Sequence, residues 1–205
     1  MAHTDCSLYI RHLYASFQFD LFDWPIAVGC QDDADGLYRS ARQIESVIQQ
    51  VQTRYPDIPR HRIVVGGFSQ GAAVALLAAY HASDELPARE PLAGCAVLSG
   101  WWTLDHAKDS KSRPTGSTII NPTTPLFWAH GTYDDKVLFE QQAHGVSRLQ
   151  DGGIKEIITK QYPMGHESYP DEIQALAKFL DHVLFDKETS ESYQINTKSS
   201  TKEEL

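Results

Sequence analysis

A serine between glycines is the first group in this sequence that could do chemistry. Residues 67–71 have the pattern G-x-S-x-G, with Ser69 at the centre, which is the pattern of a nucleophile elbow. A β-branched run over 62–66 precedes it and an Ala/Leu-rich run over 72–80 follows, which predicts a buried strand, a sharp turn and a buried helix. Such a turn exposes the serine hydroxyl and is expected to exclude bulky side chains at both glycines. The first N–H groups of the helix would then face any negative charge that develops beside Ser69.

A tight glycine-rich turn with Ser69 as a helix cap is the alternative interpretation of this segment. No Gly-Lys-Ser or Gly-Lys-Thr follows it, so it is not a phosphate-binding loop, and the glycine spacing does not fit a dinucleotide fingerprint. A nucleotide-binding α/β domain is therefore disfavoured.

Two further loops contain residues that could activate a serine. Asp134 and Asp135 follow a predicted strand over 125–130, and His166 follows a predicted strand over 154–162. A serine hydroxyl is a poor nucleophile until an imidazole takes its proton, and the imidazole needs a carboxylate on its other nitrogen. The residues alone barely separate the two aspartates as the acid.

The histidine assignment also has alternatives. His130 is a second candidate base, although its position at a strand end before Gly131 favours a role in holding the aspartate loop. His166 could instead cap the last predicted helix.

An alternation of strands and helices would position these loops. A helix is predicted from Asp35, which can cap it, to the stop at Pro56, because apolar residues recur there at helical spacing. The later elements are a strand over 92–100, an aperiodic loop over 104–122, a strand over 125–130, a helix over 137–149, a strand over 154–162 and a helix over 171–185. This order predicts an α/β fold with a mostly parallel sheet and helices on both faces. Because parallel strands end on one edge of a sheet, the three loops should meet there.

Two adjacent tryptophans, Trp101 and Trp102, follow the strand over 92–100 at that same edge. They could line a pocket for an acyl chain. They could equally well cover the hydrophobic core.

Composition excludes several classes of protein. The chain has 205 residues, which suits one domain, and its formal net charge of -9 with no basic run argues against nucleic acid as a partner. No stretch reaches the roughly 18 apolar residues of a transmembrane helix, and the N-terminus lacks the layout of a signal peptide. No metal-binding spacing is present. The three cysteines, Cys6, Cys30 and Cys95, are expected to be thiols in a reducing compartment, which predicts a cytoplasmic protein.

The chain is divided here into three segments. Residues 1–20 have no turn chemistry that assigns them to a strand or a helix, and residues 21–186 form the α/β domain. Residues 187–205 are rich in Ser, Thr, Lys and Glu and are expected to be a disordered tail. The tail ends in Lys-Glu-Glu-Leu, which resembles a retrieval signal of the endoplasmic reticulum and is treated as a coincidence.

Four motifs in one order resemble the acyl-protein thioesterase family, the phospholipase/carboxylesterase (lysophospholipase) type of α/β-hydrolase. They are the elbow over 63–73, Ser-Gly-Trp over 99–101, His-Gly-Thr-Tyr-Asp-Asp over 130–135 and Tyr-Pro-Met-Gly-His over 162–166. The similarity extends from about residue 21 to residue 185, and the order Ser, Asp, His is that of α/β-hydrolases.

The resemblance implies a role for each matching residue. Ser69 is the nucleophile, Asp134 rather than Asp135 is the acid, His166 is the base, and the backbone N–H of Gln70 is one donor of the oxyanion hole. It also implies acyl-protein thioesters, lysophospholipids or small acyl esters as substrates, with no cofactor and no metal.

The front of the family pattern is missing or replaced in this chain. Family members have a strand leading to a His-Gly-x-Gly-Asp loop, which supplies a second oxyanion donor, and residues 1–20 contain no His-Gly pair. Without that strand the run over 62–66 is expected to be an open apolar edge unless residues 1–21 pair with it, and an open edge favours association as a homodimer. A catalytically impaired remnant of the family, or an acyl-binding module, is therefore the alternative to an active hydrolase.

Overall fold

The computed structural model describes residues 19–84, 86–105 and 118–186. Its helices are α1 (Ala34–Arg54), α2 (Gln70–Tyr80), α3 (Glu140–Asp151) and α4 (Pro170–Asp181), with a 3-10 turn at Arg60–Arg62 and a π-helical turn at His182–Asp186. Its strands are β1 (Val64–Phe68), β2 (His81–Ala82), β3 (Gly94–Leu98), β4 (Thr118–Ile119), β5 (Leu126–Gly131) and β6 (Ile157–Tyr162). The predictions made for residues 1–18 and for a tail over 187–205 lie outside the described residues.

Four of these strands form one parallel sheet in the order β1-β3-β5-β6. Helix α2 follows β1, α3 connects β5 to β6, and α4 follows β6. A connection between parallel strands must return the chain to the opposite end of the sheet. The strands β2 and β4 form a separate antiparallel pair. The predicted α/β architecture with a mostly parallel sheet is confirmed.

Helices cover both faces of this sheet. On one face α2 and α3 pack against β3 and β5, and α1 packs on the outside of α2. On the other face Phe179 of α4 stacks on Phe127 of β5, with ring centroids 5.6 Å apart. The larger of the two cores includes Val65, Ala72, Ala75, Leu76, Ala79, Cys95, Val97, Leu126, Trp128 and Leu149. The sheet therefore presents the carboxyl ends of its strands as one rigid edge.

Strand β1 lies at one edge of the sheet. Within the residues that the structure describes, its only strand partner is β3. Gly66 and Phe68 on this strand are exposed. The expectation of an open edge at this strand also concerns residues 1–18, which lie outside the described residues, so it stays a prediction.

The structure corrects the predicted start of α1. The capping side chain belongs to Asp33 and not to Asp35, because Asp33 Oδ1 accepts a 3.0 Å hydrogen bond from the N–H of Gly36. Its Oδ2 accepts another from the N–H of Asp20 at 3.0 Å. These two backbone hydrogen bonds lower the pKa of Asp33. Asp35 is already inside the first turn, where it is well placed to interact with the helix dipole.

Two further boundaries differ from the prediction. The loop expected over 104–122 contains β4, whose two residues pair with β2 and are too short for any periodicity to reveal. The helix expected from Val137 begins at Glu140. The reason is that Val137 is used by the preceding loop, since its N–H donates to Asp134 and its carbonyl accepts from His130.

A buried histidine at the end of α2 predicts acid sensitivity. Burial, and then the nearby Arg89, lower the pKa of His81 from 6.5 to about 4. The unfolded chain therefore binds this proton first as the pH falls, so folding stability is complete above about pH 6.5 and is lost progressively toward pH 4. We expect the free energy of unfolding to fall by roughly 2 kcal/mol between pH 6.5 and pH 5 from this group.

Urea unfolding of the wild type and of His81→Gln at pH 7.5 and pH 5 measures this effect. The glutamine variant should lose less stability on acidification, because it cannot titrate. Equal losses in the two proteins would contradict the assignment to His81.

Candidate active site

Ser69 occupies a strained turn directly after β1. Its backbone has φ 55° and ψ -123°, a conformation that residues with a side chain rarely adopt. The turn is held in place because the N–H of Ser69 donates to the Leu98 carbonyl of β3 at 2.9 Å, and the Ser69 carbonyl accepts from the N–H of Ala72 and of Ala73. The predicted elbow of strand, turn and helix is therefore present.

Only one of the two flanking glycines is required for steric reasons. A Cβ added to Gly67 would collide with the backbone of Gly71, whereas a Cβ added to Gly71 would meet no atom within 4 Å. The expectation that both positions exclude a side chain is correct for Gly67 and wrong for Gly71. The reason is that the chain folds back over Gly67, while Gly71 lies beyond the turn in α2.

We predict opposite effects for alanine at the two glycines. Gly67→Ala should lower the free energy of unfolding by roughly 1–3 kcal/mol, because a methyl group must displace backbone. Gly71→Ala should leave stability unchanged or raise it by up to about 1 kcal/mol, because alanine is the better helix former. Urea midpoints of the two variants measure this difference, and a destabilised Gly71→Ala would show that the space at that position is occupied in solution.

The side chains of Ser69, His166 and Asp134 form one hydrogen-bonded chain. His166 Nε2 lies 2.8 Å from Ser69 Oγ, and His166 Nδ1 lies 2.8 Å from Asp134 Oδ2. An ionised carboxylate can only accept, so Nδ1 carries the proton and Nε2 is left as an acceptor for the serine hydroxyl. The three predicted residues, which are far apart in sequence, meet at the carboxyl edge of the sheet in this orientation.

The structure brings Asp134, and not Asp135, to the imidazole. Asp134 is buried, and its Oδ1 accepts the N–H groups of Lys136 and Val137 at 2.9 Å each, which aims Oδ2 at His166. Asp135 has 74% of its side chain exposed and pairs with Lys136 at 3.2 Å. The backbone hydrogen bonds of the turn therefore select the carboxylate.

His130 contacts the loop that carries Asp134. It is fully buried, its Nε2 donates to the Val137 carbonyl at 2.9 Å, and the same nitrogen lies 3.5 Å from Asp134 Oδ2. Burial lowers the pKa of His130, so it is neutral near pH 7. This geometry agrees with the expectation that His130 holds the loop.

The aspartate and histidine loops touch through their backbones. A Cβ on Gly131 would collide with the carbonyls of Met164 and Gly165, so only glycine allows this approach. The N–H of Tyr133 also donates to the Met164 carbonyl at 3.0 Å. These contacts keep the distance between Asp134 and His166 short.

One aromatic contact was missed by sequence reasoning. The ring of Phe68 lies 4.7 Å from the ring of His166, tilted by 42°. Phe68 precedes Ser69 in the elbow, so the elbow supplies both the hydroxyl and a surface for the imidazole. Phe68 occupies the first variable position of G-x-S-x-G, and because the pattern allows any residue there, it gave no reason to single out Phe68.

Gln70 begins α2, so its backbone N–H belongs to the first turn, whose N–H groups have no acceptor within the helix. This N–H lies next to Ser69 in the chain, and its role as an oxyanion donor stays a prediction. The Gln70 side chain has a structural role. Its Nε2 donates to the Phe19 carbonyl at 3.1 Å, and this hydrogen bond connects the segment that begins at residue 19 to the elbow.

Trp101 and Trp102 are both buried. Trp102 belongs to the larger core, and Trp101 packs against Phe19 with ring centroids 5.9 Å apart. Both also line a small cavity together with Ala27, Gly29, Cys30, Asp32, Asp105, Gln141 and His144. None of these lining residues belongs to the hydrogen-bonded chain at Ser69, so the core-covering interpretation fits the two tryptophans better than an acyl pocket open to Ser69.

Within the described ranges no cluster of three or more His, Cys, Asp or Glu side chains could hold a metal ion. In the same part of the chain no helix has the length and hydropathy needed to cross a membrane. Cys95 is fully buried, and this burial raises the pKa of its thiol. Cys6 lies outside the described residues.

Residues 18–184 match the family model described as Phospholipase/Carboxylesterase. The chain is 32% identical to acyl-protein thioesterase 1 of Aspergillus fumigatus, over 79% of this chain and 63% of that protein. It is 34% identical to acyl-protein thioesterase 1 of Mycosarcoma maydis, over 81% of this chain and 68% of that protein. The chain thus spans about two thirds of the length of these curated relatives.

Solved structures show the same similarity. Acyl-protein thioesterase 2 of Zea mays superposes with a TM-score of 0.62 at 29% identity, over 81% of this chain and 71% of that one. A variant of Arabidopsis thaliana SOBER1 superposes with a TM-score of 0.66 at 26% identity, over 81% and 74% of the two chains.

Proposed function

Because the chain belongs to the phospholipase/carboxylesterase family and has the α/β-hydrolase fold, we propose that it is a serine hydrolase of carboxylic esters or thioesters. The resemblance to acyl-protein thioesterases inferred from four motifs is confirmed. The observation that supports the catalytic assignment is the chain of two 2.8 Å hydrogen bonds from Ser69 through His166 to Asp134.

The proposed reaction has two halves. Ser69 Oγ attacks the acyl carbonyl while His166 Nε2 takes its proton, and the buried Asp134 carboxylate stabilises the imidazolium. The N–H of Gln70 donates to the oxygen that becomes negative. His166 then gives the proton to the departing alcohol or thiol, and the acyl group stays on Ser69.

Water completes the cycle. His166 Nε2 takes a proton from the water, the resulting hydroxide attacks the acyl-enzyme, and the carboxylic acid leaves as Ser69 Oγ recovers its proton. This chemistry uses no cofactor and no metal. Acyl-protein thioesters, lysophospholipids and small acyl esters are the substrate classes proposed from the family.

A second candidate function is acyl binding with little turnover. We assign one oxyanion donor, the N–H of Gln70, among the residues that the structure describes. Loss of one such donor lowers turnover by about 10²–10³-fold. We also propose that the chain forms a homodimer through the edge of β1 and that it is cytoplasmic.

Reaction with a fluorophosphonate probe tests the hydrolase proposal, together with hydrolysis of p-nitrophenyl butyrate. An activated serine forms one covalent adduct, which peptide mass spectrometry should locate on Ser69. Adduct with measurable turnover supports the hydrolase. A folded chain that gives no adduct contradicts it and supports the acyl-binding candidate.

A further inference from the structure

Several large apolar side chains are exposed in the part of the chain that the structure describes, and four of them lie in the segment 21–28. Five of them form what we call the aromatic rim: Leu21, Phe22, Trp24, Val28 and Tyr133. Trp24 has 58% of its surface exposed and Tyr133 has 72%. A single exposed apolar residue is common on protein surfaces, but four within eight consecutive residues indicate an interaction surface.

The segment that carries most of the rim contacts the loop that carries Asp134. The N–H of Ile26 donates to the Lys136 carbonyl at 2.8 Å, and the N–H of Leu138 donates to the Ile26 carbonyl at 3.0 Å, so the segment 21–28 runs along the residues that follow Asp134. Tyr133 directly precedes Asp134. The start of the same segment is tied to the elbow, because the Phe19 carbonyl accepts from the Gln70 side chain.

Other residues anchor this segment, so the rim is not needed to hold it. Ile26 is buried, and Asp23 Oδ2 accepts the N–H of Gln31 at 3.0 Å. Trp24 lies under the Lys136 ammonium, which is 5.8 Å from its ring centroid. The segment is thus fixed from the inside while its largest side chains face outward.

The acidic side chains beside the rim disfavour two kinds of partner, a second copy of the chain and an anionic membrane. Asp20, Asp23 and Asp135 are exposed, Lys136 is partly exposed and pairs with Asp135, and the whole chain has a formal net charge of -9. A second copy docked by a two-fold axis through the rim would bring these carboxylates together, which is unfavourable. An anionic membrane would be repelled for the same reason.

A phosphatidylcholine surface has the complementary chemistry. Its outermost group is a trimethylammonium cation, which aromatic faces and carboxylates both attract. Below it lies an interface where Trp and Tyr side chains are favoured, because one end of each is apolar and the other is wet.

We propose that the aromatic rim docks the protein on neutral, choline-rich lipid surfaces. Docking there would place the Ser69 site at a surface that holds acyl chains, and this consequence alone rests on the proposed hydrolase function. Binding itself depends on Phe22, Trp24 and Tyr133 and not on the catalytic chain.

Tryptophan fluorescence gives a direct test. The sequence has four tryptophans, and Trp101, Trp102 and Trp128 are buried, so Trp24 is the one that a membrane can reach. Ser69→Ala protein is mixed with vesicles of phosphatidylcholine carrying bromine on the acyl chains. We expect quenching and a blue shift that persist in 0.5 M salt, that weaken when phosphatidylserine is added, and that vanish in Trp24→Phe.

Sedimentation with the same vesicles tests the rim by mutation. Phe22→Ser should lower the bound fraction by about tenfold in partition coefficient, whereas Ile173→Ser, an exposed apolar residue on α4, should not. Phe22→Ser should also keep any hydrolysis of a water-soluble ester, so failure of docking and failure of catalysis are separate results. No binding to phosphatidylcholine, equal binding to anionic vesicles, or a dimer in solution that Phe22→Ser dissociates would each overturn the proposal.

Discussion

Replacing Ser69 with alanine is expected to lower kcat for ester hydrolysis by at least about 10⁴-fold and to leave the protein folded. The variant lacks the oxygen that would form the proposed acyl-enzyme, and His166 Nε2 loses its 2.8 Å partner. Alanine makes no greater steric demand than serine at a φ of 55°, so stability should change by about 1 kcal/mol or less, the value of one hydrogen bond. Kinetics with p-nitrophenyl butyrate and thermal unfolding measure the two effects.

Ser99→Ala is the matched control for this variant. Ser99 also ends a strand with a positive φ, of 47°, and its buried hydroxyl has no hydrogen-bond partner among the described residues. Its removal should keep turnover and leave stability unchanged or slightly higher. Turnover retained in Ser69→Ala, or lost equally in both variants, would remove the assignment of Ser69.

Replacing Asp134 with asparagine is expected to lower kcat by about 10⁴-fold with little change in KM. The new Oδ1 can keep the two backbone hydrogen bonds from Lys136 and Val137, which leaves Nδ2 facing His166. An amide N–H there forces Nδ1 to accept and moves the imidazole proton to Nε2. The histidine then cannot take the proton of Ser69.

Asp135→Asn tests whether the effect belongs to this one carboxylate. The two aspartates are adjacent, but Asp135 is exposed and pairs with Lys136 at the surface, where such pairs contribute little. Its kcat should therefore equal that of the wild type. If Asp135→Asn were the impaired variant, the acid would have been assigned to the wrong residue.

Local features of the fold could be predicted because their causes are local. The strand, turn and helix around Ser69 follow from a β-branched run, closely spaced glycines and an alanine-rich run. The alternation of strands and helices predicted a parallel sheet, and hence a common edge for loops that are distant in sequence. For this reason the sequence alone predicts that Ser69 pairs with His166 across 97 residues.

Features that depend on contacts between elements were missed or misplaced. The cap of α1 is Asp33, whose carboxylate also accepts the N–H of Asp20. The helical spacing of apolar residues gives no information about this contact with a residue outside the helix. The freedom of Gly71 to carry a side chain depends on where the chain turns over Gly67. The tilted ring contact of Phe68 with His166 joins the end of β1 to the loop after β6, and these two strands are not neighbours in the sheet.

The sequence by itself determined the kind of site in this protein: a serine in a strained turn, with an aspartate and a histidine on later loops of the same sheet edge. The residue types alone did not separate Asp134 from Asp135; the family resemblance implied Asp134, and the tertiary structure shows that this carboxylate reaches the imidazole. The reason is that a carboxylate in a loop is oriented by the backbone N–H groups around it, and two adjacent aspartates see different ones. The exposed rim beside the site was likewise decided by packing, because Ile26 is buried while Phe22 and Trp24 of the same segment face outward.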